Sequence, residues 1–463
     1  MIRGSLEQVL ATIDGAHVTR DAYFQGVSTD SRQVVPGSLF VALRGERFDA
    51  HDFLDQLAGQ PVAAVVVEQL PEHYPLPALV VPDTLAALGR IGNFWRRRFA
   101  IPVIGVTGSN GKTTVKEMIA SILAAQFGEA GRLATQGNLN NEIGVPLTVT
   151  RLTDAHKAAV VELGMNHPGE IARLAAIAEP TVALVNNAQR EHQEFMHTVE
   201  AVARENGAVL QALPQGGVAV FPGDDAYTPL WRELAGARKT LTFGLGDACD
   251  VRATHAPTAF GSELAVDAGG TRFAVKLAAA GIHNVRNALA AIACALAARI
   301  PVDAIVRGLE AFAPVSGRLQ RKEATCGAVV IDDTYNANPD SVRAAIDVLA
   351  QSPSPRILVL GDMGEVGTQG PEFHQEIGAY AASRGIDTVL GTGELARFAI
   401  EALQSAGARA QHHEQFDELL AALDQKLGSK SDATVLVKGS RFMKMERVVQ
   451  HLIASTNTGK EAH

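Results

Sequence analysis

Cysteine is scarce in this chain: Cys249, Cys294 and Cys326 are the three in 463 residues, and no two show CxxC spacing. So odd and scattered a set argues against a disulfide framework and suits a reducing compartment. Long apolar runs are missing too. No uninterrupted stretch reaches the ~18 residues of a membrane span, and residues 1–7 carry no apolar core of a secretory signal. Positive charge is not in excess; the formal net charge is −9. Nucleic-acid binding draws its affinity mostly from neutralised phosphates, so DNA and RNA are poor partners for such a chain. A single nucleotide remains open, because one lysine and a few backbone N–H groups suffice to hold it. Charged residues make up only 20%, whereas hydrophobic residues reach 47%, enough to fill several cores. No internal repeat or low-complexity tract is present, and only 456–463 reads as disordered. At roughly 150 residues per domain the length suggests about three domains. The expectation is a soluble, cytoplasmic, multidomain protein without a membrane span.

Short β-branched runs alternate with longer Ala/Leu-rich segments. Strands are predicted over 62–67, 102–107, 158–163, 182–187, 217–221, 328–332, 356–361, 386–390 and 434–438. Most are continuous apolar runs, the pattern of parallel strands buried on both faces. Helices are predicted over 113–126, 169–178, 199–213, 284–298, 340–349 and 415–427. The fold class is therefore α/β, with right-handed crossovers. Residues 240–278 read as short strands, a β-excursion of the middle of the chain. Two boundaries suggest themselves, at Arg96-Arg97-Arg98-Phe99-Ala100 and at Phe312-Ala313-Pro314-Val315-Ser316-Gly317. They divide the chain into 1–99, 100–313 and 314–463, the last an α/β domain.

The strongest local signal is Gly105-Val-Thr-Gly-Ser-Asn-Gly-Lys-Thr-Thr114, between a predicted strand and a predicted helix. A glycine-rich turn there aims backbone N–H groups at a phosphate, and the helix N-terminus adds about half a positive charge. Thr107, Gly108, Ser109, Asn110, Gly111, Lys112, Thr113 and Thr114 are the candidate nucleotide-binding residues. Lys112 is placed at the outer phosphates and the Thr113 hydroxyl at Mg²⁺. The loop is not a strict Walker A, since Val106 stands where that pattern has glycine. The motif implies nucleotide binding without fixing the reaction. Glu162 closes a predicted strand, where ligands of open α/β sheets gather, and a carboxylate there suits Mg²⁺; a strand-end surface residue is the alternative. His192, in the loop after the next strand, is a candidate ligand or else a solvated histidine. Asn284 and Asn287 share a helical face at i and i+3. They are able to read an adenine edge, although Asn284 as a helix cap is equally consistent with the sequence.

Taken in order, T-G-S-N-G-K-T-T (107–114), V-E-L-G-M-N (161–166), the His192 loop, G-I-H-N-V-R-N-A-L-A-A (281–291) and S-G-R-L (316–319) resemble the Mur ligase family. The resemblance runs from about 28 to about 446. T-D-S-R (29–32) with P-G-S-L-F-V-A-L (36–43) resembles the N-terminal uridine-nucleotide domain shared by the diamino-acid-adding and dipeptide-adding branches, while G-N-L-N-N-E-I-G-V-P-L (137–147), I-D-D-T-Y-N-A-N-P (331–339) and K-G-S-R (438–441) resemble the branch that adds a dipeptide. The D-N-P-R string of the diamino-acid-adding branch is absent.

The resemblance implies an N-terminal uridine-nucleotide domain, a central P-loop ATPase domain and a C-terminal Rossmann-like domain. It implies ATP and Mg²⁺ as cofactors, and UDP-N-acetylmuramoyl-tripeptide and D-alanyl-D-alanine as substrates; a monomer is expected. By the same resemblance Thr113, Glu162 and His192 serve the metal. Asn284 and Asn287 face adenine, Arg318 approaches the γ-phosphate, and Asp333 bonds the ribose. Ser31 and Arg32 lie at the uridine nucleotide, Asn138 and Asn141 near the muramoyl-peptide, and Tyr335, Asn336 and Asn338 near the dipeptide. Two positions depart from the family pattern. Asn206 stands where many members carry a carbamylated lysine, which implies weaker hold on a second Mg²⁺; Ala50 replaces a glycine in D-A-H (49–51). Rival readings are a ligase adding a single amino acid and a P-loop switch that hydrolyses ATP without a UDP-sugar acceptor.

Overall fold

A computed structural model describes residues 1–45, 48–191 and 193–454. His192 and the 456–463 segment expected to be disordered lie outside the described residues. Three sheets carry the architecture, each formed by a separate stretch of chain.

In the middle of the chain the predicted strand that feeds the glycine-rich loop forms over Val103–Thr107. All five of its residues are buried, as a strand covered on both faces requires. It lies between Ala158–Glu162 and Val182–Val185, parallel to both. This strand is third from one edge of a nine-stranded sheet whose other edge is the meander Val251–Thr258, Gly261–Ala268 and Thr271–Leu277. That meander is the expected β-excursion. The helix Lys112–Phe127 runs from the loop under the sheet. It packs against Val302–Ala311 so closely that a methyl on Gly308 would collide with the backbone of Ile122.

The C-terminal sheet has the order Gln320–Glu323, Val329–Asp333, Thr434–Lys438, Arg356–Leu360, Thr388–Thr392, Ala410–His413. Only the first strand is antiparallel; the other five are parallel with helices between them, the Rossmann-like arrangement expected. The N-terminal sheet has five short strands, His17–Val18, Ala78–Val80, Ala64–Val67, Leu39–Val41 and Val27–Ser28 in that order.

Around the first boundary the chain is not a loose linker. Helix Thr84–Arg96 runs through to the first arginine of the triplet. Arg96 is buried and donates to the carbonyls of Ala178, Phe99 and Glu179 at 2.6–3.0 Å. Trp95 Nε1 donates to Leu152 O at 3.0 Å. These bonds satisfy polar groups that would otherwise be costly to bury. The N-terminal hydrophobic cluster accordingly continues into the side chains of the central sheet and helix Glu170–Ala178. No helix among the described residues is long and apolar enough to cross a membrane.

Candidate active site

Three neighbouring parallel strands end side by side, and each delivers polar groups at its carboxyl end, where open α/β sheets bind ligands. Val103–Thr107 gives the glycine-rich loop, Ala158–Glu162 gives Glu162, and Val182–Val185 gives Asn186 and Asn187. A cavity of about 880 Å³ opens there, walled by these residues and, from the C-terminal unit, by Arg318, Asp333 and Tyr335.

The loop needs its glycines. Gly108 has φ +135°, and a Cβ there would approach Asn186 Cβ to 2.9 Å; Gly111, at φ +80°, precedes the helix, and a Cβ there would meet the Asn287 carboxamide. Asn186 and Asn187 both donate from Nδ2 to the Asn110 carbonyl, at 2.8 and 2.9 Å. Lys112 lies along the loop and donates to Gly108 O at 2.6 Å, Ser109 O at 3.0 Å and Glu191 Oε1 at 2.8 Å.

Glu162 is buried at its strand end. Its Oε1 accepts from the Thr113 hydroxyl at 3.2 Å and from Asn140 Nδ2 at 2.9 Å, while Oε2 has no hydrogen-bond partner. A buried carboxylate oxygen left open beside a hydroxyl is an oxygen-rich donor pair, the chemistry a hard divalent cation takes. The residues therefore fit Mg²⁺, although no cluster of three or more His, Cys, Asp or Glu side chains of metal-binding form exists among the described residues. Behind Glu162 the Thr135 hydroxyl accepts its backbone N–H at 2.9 Å. Fully buried Lys116 holds the Thr135 carbonyl at 3.0 Å and pairs with Glu117.

From the C-terminal unit, Arg318 Nη2 donates to the Thr113 hydroxyl at 3.0 Å, and its guanidinium stacks over the Tyr335 ring at 4.2 Å. Asn338 caps helix Pro339–Ala350 and donates to Asn110 Oδ1 at 2.9 Å. Asp333 accepts from Lys438 Nζ at 2.5 Å and from the Leu319 N–H at 3.2 Å, so it pins the Gly317–Leu319 turn that carries Arg318. Lys438 also holds the Asn336 carbonyl at 2.9 Å.

Other expected residues fall as follows. Asn138 and Asn141 line the cavity. Asn284 and Asn287 line it too, but they form a carboxamide chain: Asn186 donates to Asn287 at 3.0 Å, and Asn287 to Asn284 at 3.1 Å. Asn284 is not the helix cap, a position that Gly281 holds. Ser31 and Arg32 lie away from this cavity, on the N-terminal unit, where exposed Arg32 pairs with Asp30 at 2.8 Å. Asn206 is fully buried; its Oδ1 accepts the Thr107 hydroxyl at 2.6 Å and its Nδ2 has no partner. One lone pair of its carbonyl is thus engaged by Thr107.

Sequence reasoning did not single out Asn140, Asn186, Gln189, Arg190, Glu191 or His283. The neighbouring strings contain all of them, yet their partners are distant in sequence. His283 lines the cavity, and burial lowers its pKa to about 4, so its imidazole is neutral near pH 7.

Three Mur ligase family models match the chain: the catalytic domain at residues 23–94, the middle domain at 106–295 and the glutamate ligase domain at 317–441. The chain is 39% identical to the UDP-N-acetylmuramoyl-tripeptide–D-alanyl-D-alanine ligase of Escherichia coli (strain K12), over 98% of this chain and 99% of that relative. It superposes on MurF from Acinetobacter baumannii with a TM-score of 0.90 at 34% identity, covering 98% and 99% of the two chains. On MurF ligase from Thermotoga maritima in complex with ADP the TM-score is 0.82 at 27% identity, with 92% and 97% covered.

Proposed function

The chain belongs to the Mur ligase family, and we infer that it is the ATP-dependent ligase joining D-alanyl-D-alanine to UDP-N-acetylmuramoyl-tripeptide. The products are the UDP-muramoyl-pentapeptide, ADP and phosphate, and the reaction serves peptidoglycan precursor synthesis. The observation that carries this reading is the single cavity in which a phosphate loop, a buried carboxylate and an arginine from another unit meet.

A carboxylate is a poor electrophile, and ATP solves that problem. An oxygen of the tripeptide's terminal carboxylate attacks the γ-phosphorus; the new O–P bond forms as the bond to ADP breaks. The amine of D-alanyl-D-alanine then attacks the acyl carbon, loses a proton, and inorganic phosphate leaves. Bringing a carboxylate to a polyphosphate joins two anions. Lys112 and Arg318 offset that repulsion and stabilise charge in the transition state. Glu162 and Thr113 would hold Mg²⁺, which when bound neutralises part of the phosphate charge. We assign His192 a share in a second metal, as the family resemblance implies.

We assign adenine to the Asn284–Asn287 wall, ribose to Asp333, and the muramoyl-peptide to Asn138 and Asn141. Tyr335, Asn336 and Asn338 take the dipeptide, and Ser31 and Arg32 the uridine nucleotide. We take the domains as 1–99, 100–313 and 314–463, which the three separate sheets support. We take the chain to work as a monomer in the cytoplasm; its three free cysteines suit a reducing compartment.

The test supplies ATP, Mg²⁺ and UDP-muramoyl-tripeptide with a panel of amino acids and dipeptides. Pentapeptide formation and phosphate release with D-alanyl-D-alanine are expected. Turnover with a single amino acid in preference to the dipeptide, or hydrolysis of ATP that needs no UDP-linked acceptor, overturns the reading.

A further inference from the structure

Three consecutive residues after strand Val182–Val185 join the phosphate loop to the C-terminal unit. Gln189 knits to the loop: its N–H donates to Ser109 Oγ at 2.9 Å and its Oε1 accepts from Asn110 Nδ2 at 2.6 Å. Arg190 reaches the other way. Its backbone N–H and guanidinium bond Asp340 at 2.7–3.2 Å, and the guanidinium also bonds Glu376 at 2.6 and 3.1 Å. Arg343 supports Glu376 from the far side at 2.9 Å. Glu191 then turns back to Lys112 at 2.8 Å, both side chains being mostly buried.

An ammonium has three N–H donors. In Lys112 all three are spent, on Gly108 O, Ser109 O and Glu191 Oε1. Two of those acceptors belong to the loop itself, so the exchangeable one is the Glu191 carboxylate. An incoming phosphate carries the same charge and seeks the same donor, so it competes with Glu191 directly. We propose that Glu191 is a positioning residue that holds Lys112 as a resident anion until nucleotide displaces it, and that Arg190 ties this exchange to docking of the C-terminal unit. Paired this way, Lys112 avoids the cost of a mostly buried, unpaired cation before nucleotide binds. The exchange also links occupation of the phosphate loop to the clasp that holds Asp340 and Glu376, so nucleotide binding and domain arrangement report on one another.

The proposal rests on the reading of the loop as a nucleotide site, and the experiment separates the two. Calorimetric titration of the full chain uses a non-hydrolysable ATP analogue with and without Mg²⁺, and adenosine as a phosphate-free probe. Glu191→Gln, which keeps size and removes charge, is expected to bind the analogue about five-fold tighter than wild type in both conditions, with adenosine affinity unchanged. In a chain carrying Asp340→Asn and Glu376→Gln, which loosens the clasp from the other side, that gain is expected to shrink, because the two sites are coupled. Wild type that binds the analogue while Glu191→Gln binds it no tighter, or more weakly with Mg²⁺ alone, overturns the resident-anion role. An undiminished gain in the clasp variant overturns the coupling. Wild type that does not bind the analogue overturns the nucleotide reading and this proposal together.

Discussion

Lys112 has its ammonium within hydrogen-bond reach of two loop carbonyls and one carboxylate, so its charge is positioned before any ligand arrives. Lys112→Ala is expected to lower the rate of phosphate release about 10²- to 10³-fold, by removing the cation that offsets transition-state charge. Steady-state kinetics on folded variant checks this, and near-wild-type turnover contradicts it. Glu162→Gln keeps the acceptor for Thr113 and Asn140 but removes the buried charge beside the open Oε2. A raised Mg²⁺ requirement is expected in a metal titration of activity. At Asn206, whose Oδ1 is taken by Thr107, substitution by lysine is expected to lower the Mg²⁺ concentration for half-maximal activity; an unchanged requirement counts against a metal role for that position. The glycine-rich turn stood out in the sequence because its residues are contiguous and its glycines answer the same need for close backbone approach. Asn140, Arg190 and Glu191 were not, because their meaning lies in partners 22, 150 and 79 positions away.

Secondary-structure elements followed the same logic. The strands Val103–Thr107, Ala158–Glu162 and Thr434–Lys438 were legible because burial on both faces forces continuous apolar runs. The N-terminal sheet was mostly illegible: strands of two to four residues, such as His17–Val18 and Val27–Ser28, are too short to show a period. The close pairing of Lys112–Phe127 with Val302–Ala311 also hides behind one glycine. Gly308→Ala is expected to destabilise the fold by about 1–3 kcal/mol through overlap with Ile122 backbone, measured by thermal melting. In helix Gly370–Ser383, buried His374 donates from Nδ1 to Gly370 O at 2.6 Å and accepts the Met363 N–H at Nε2, 3.0 Å away. Only the neutral ring makes both bonds, and burial holds its pKa below the usual histidine value. The unfolded chain therefore binds a proton first. Stability is expected to be level above ~pH 6.5 and to fall as pH drops below it. Replacement of His374 by glutamine should flatten that slope in a series of melts; an unaltered slope contradicts the assignment.

At the scale of the whole molecule, the cavity lies where the central and C-terminal units meet, with Leu85 of the N-terminal unit also lining it. Arg318–Thr113, Asn338–Asn110 and Arg190–Asp340 bridge the two. The sequence boundaries separated the sheets but gave no sign that the N-terminal core continues into the central unit through Trp95 and Arg96. Motion is therefore expected mainly at the second boundary. A reactive acyl phosphate needs shelter from water, so nucleotide with both substrates is expected to compact the chain in small-angle scattering; no compaction contradicts closure. The central claim is that the substrate carboxylate itself takes the γ-phosphoryl group. It is tested most directly with UDP-muramoyl-tripeptide carrying ¹⁸O in both oxygens of its terminal carboxylate. Mass spectrometry of the released phosphate is expected to find one ¹⁸O per turnover, and phosphate free of the label would contradict the account.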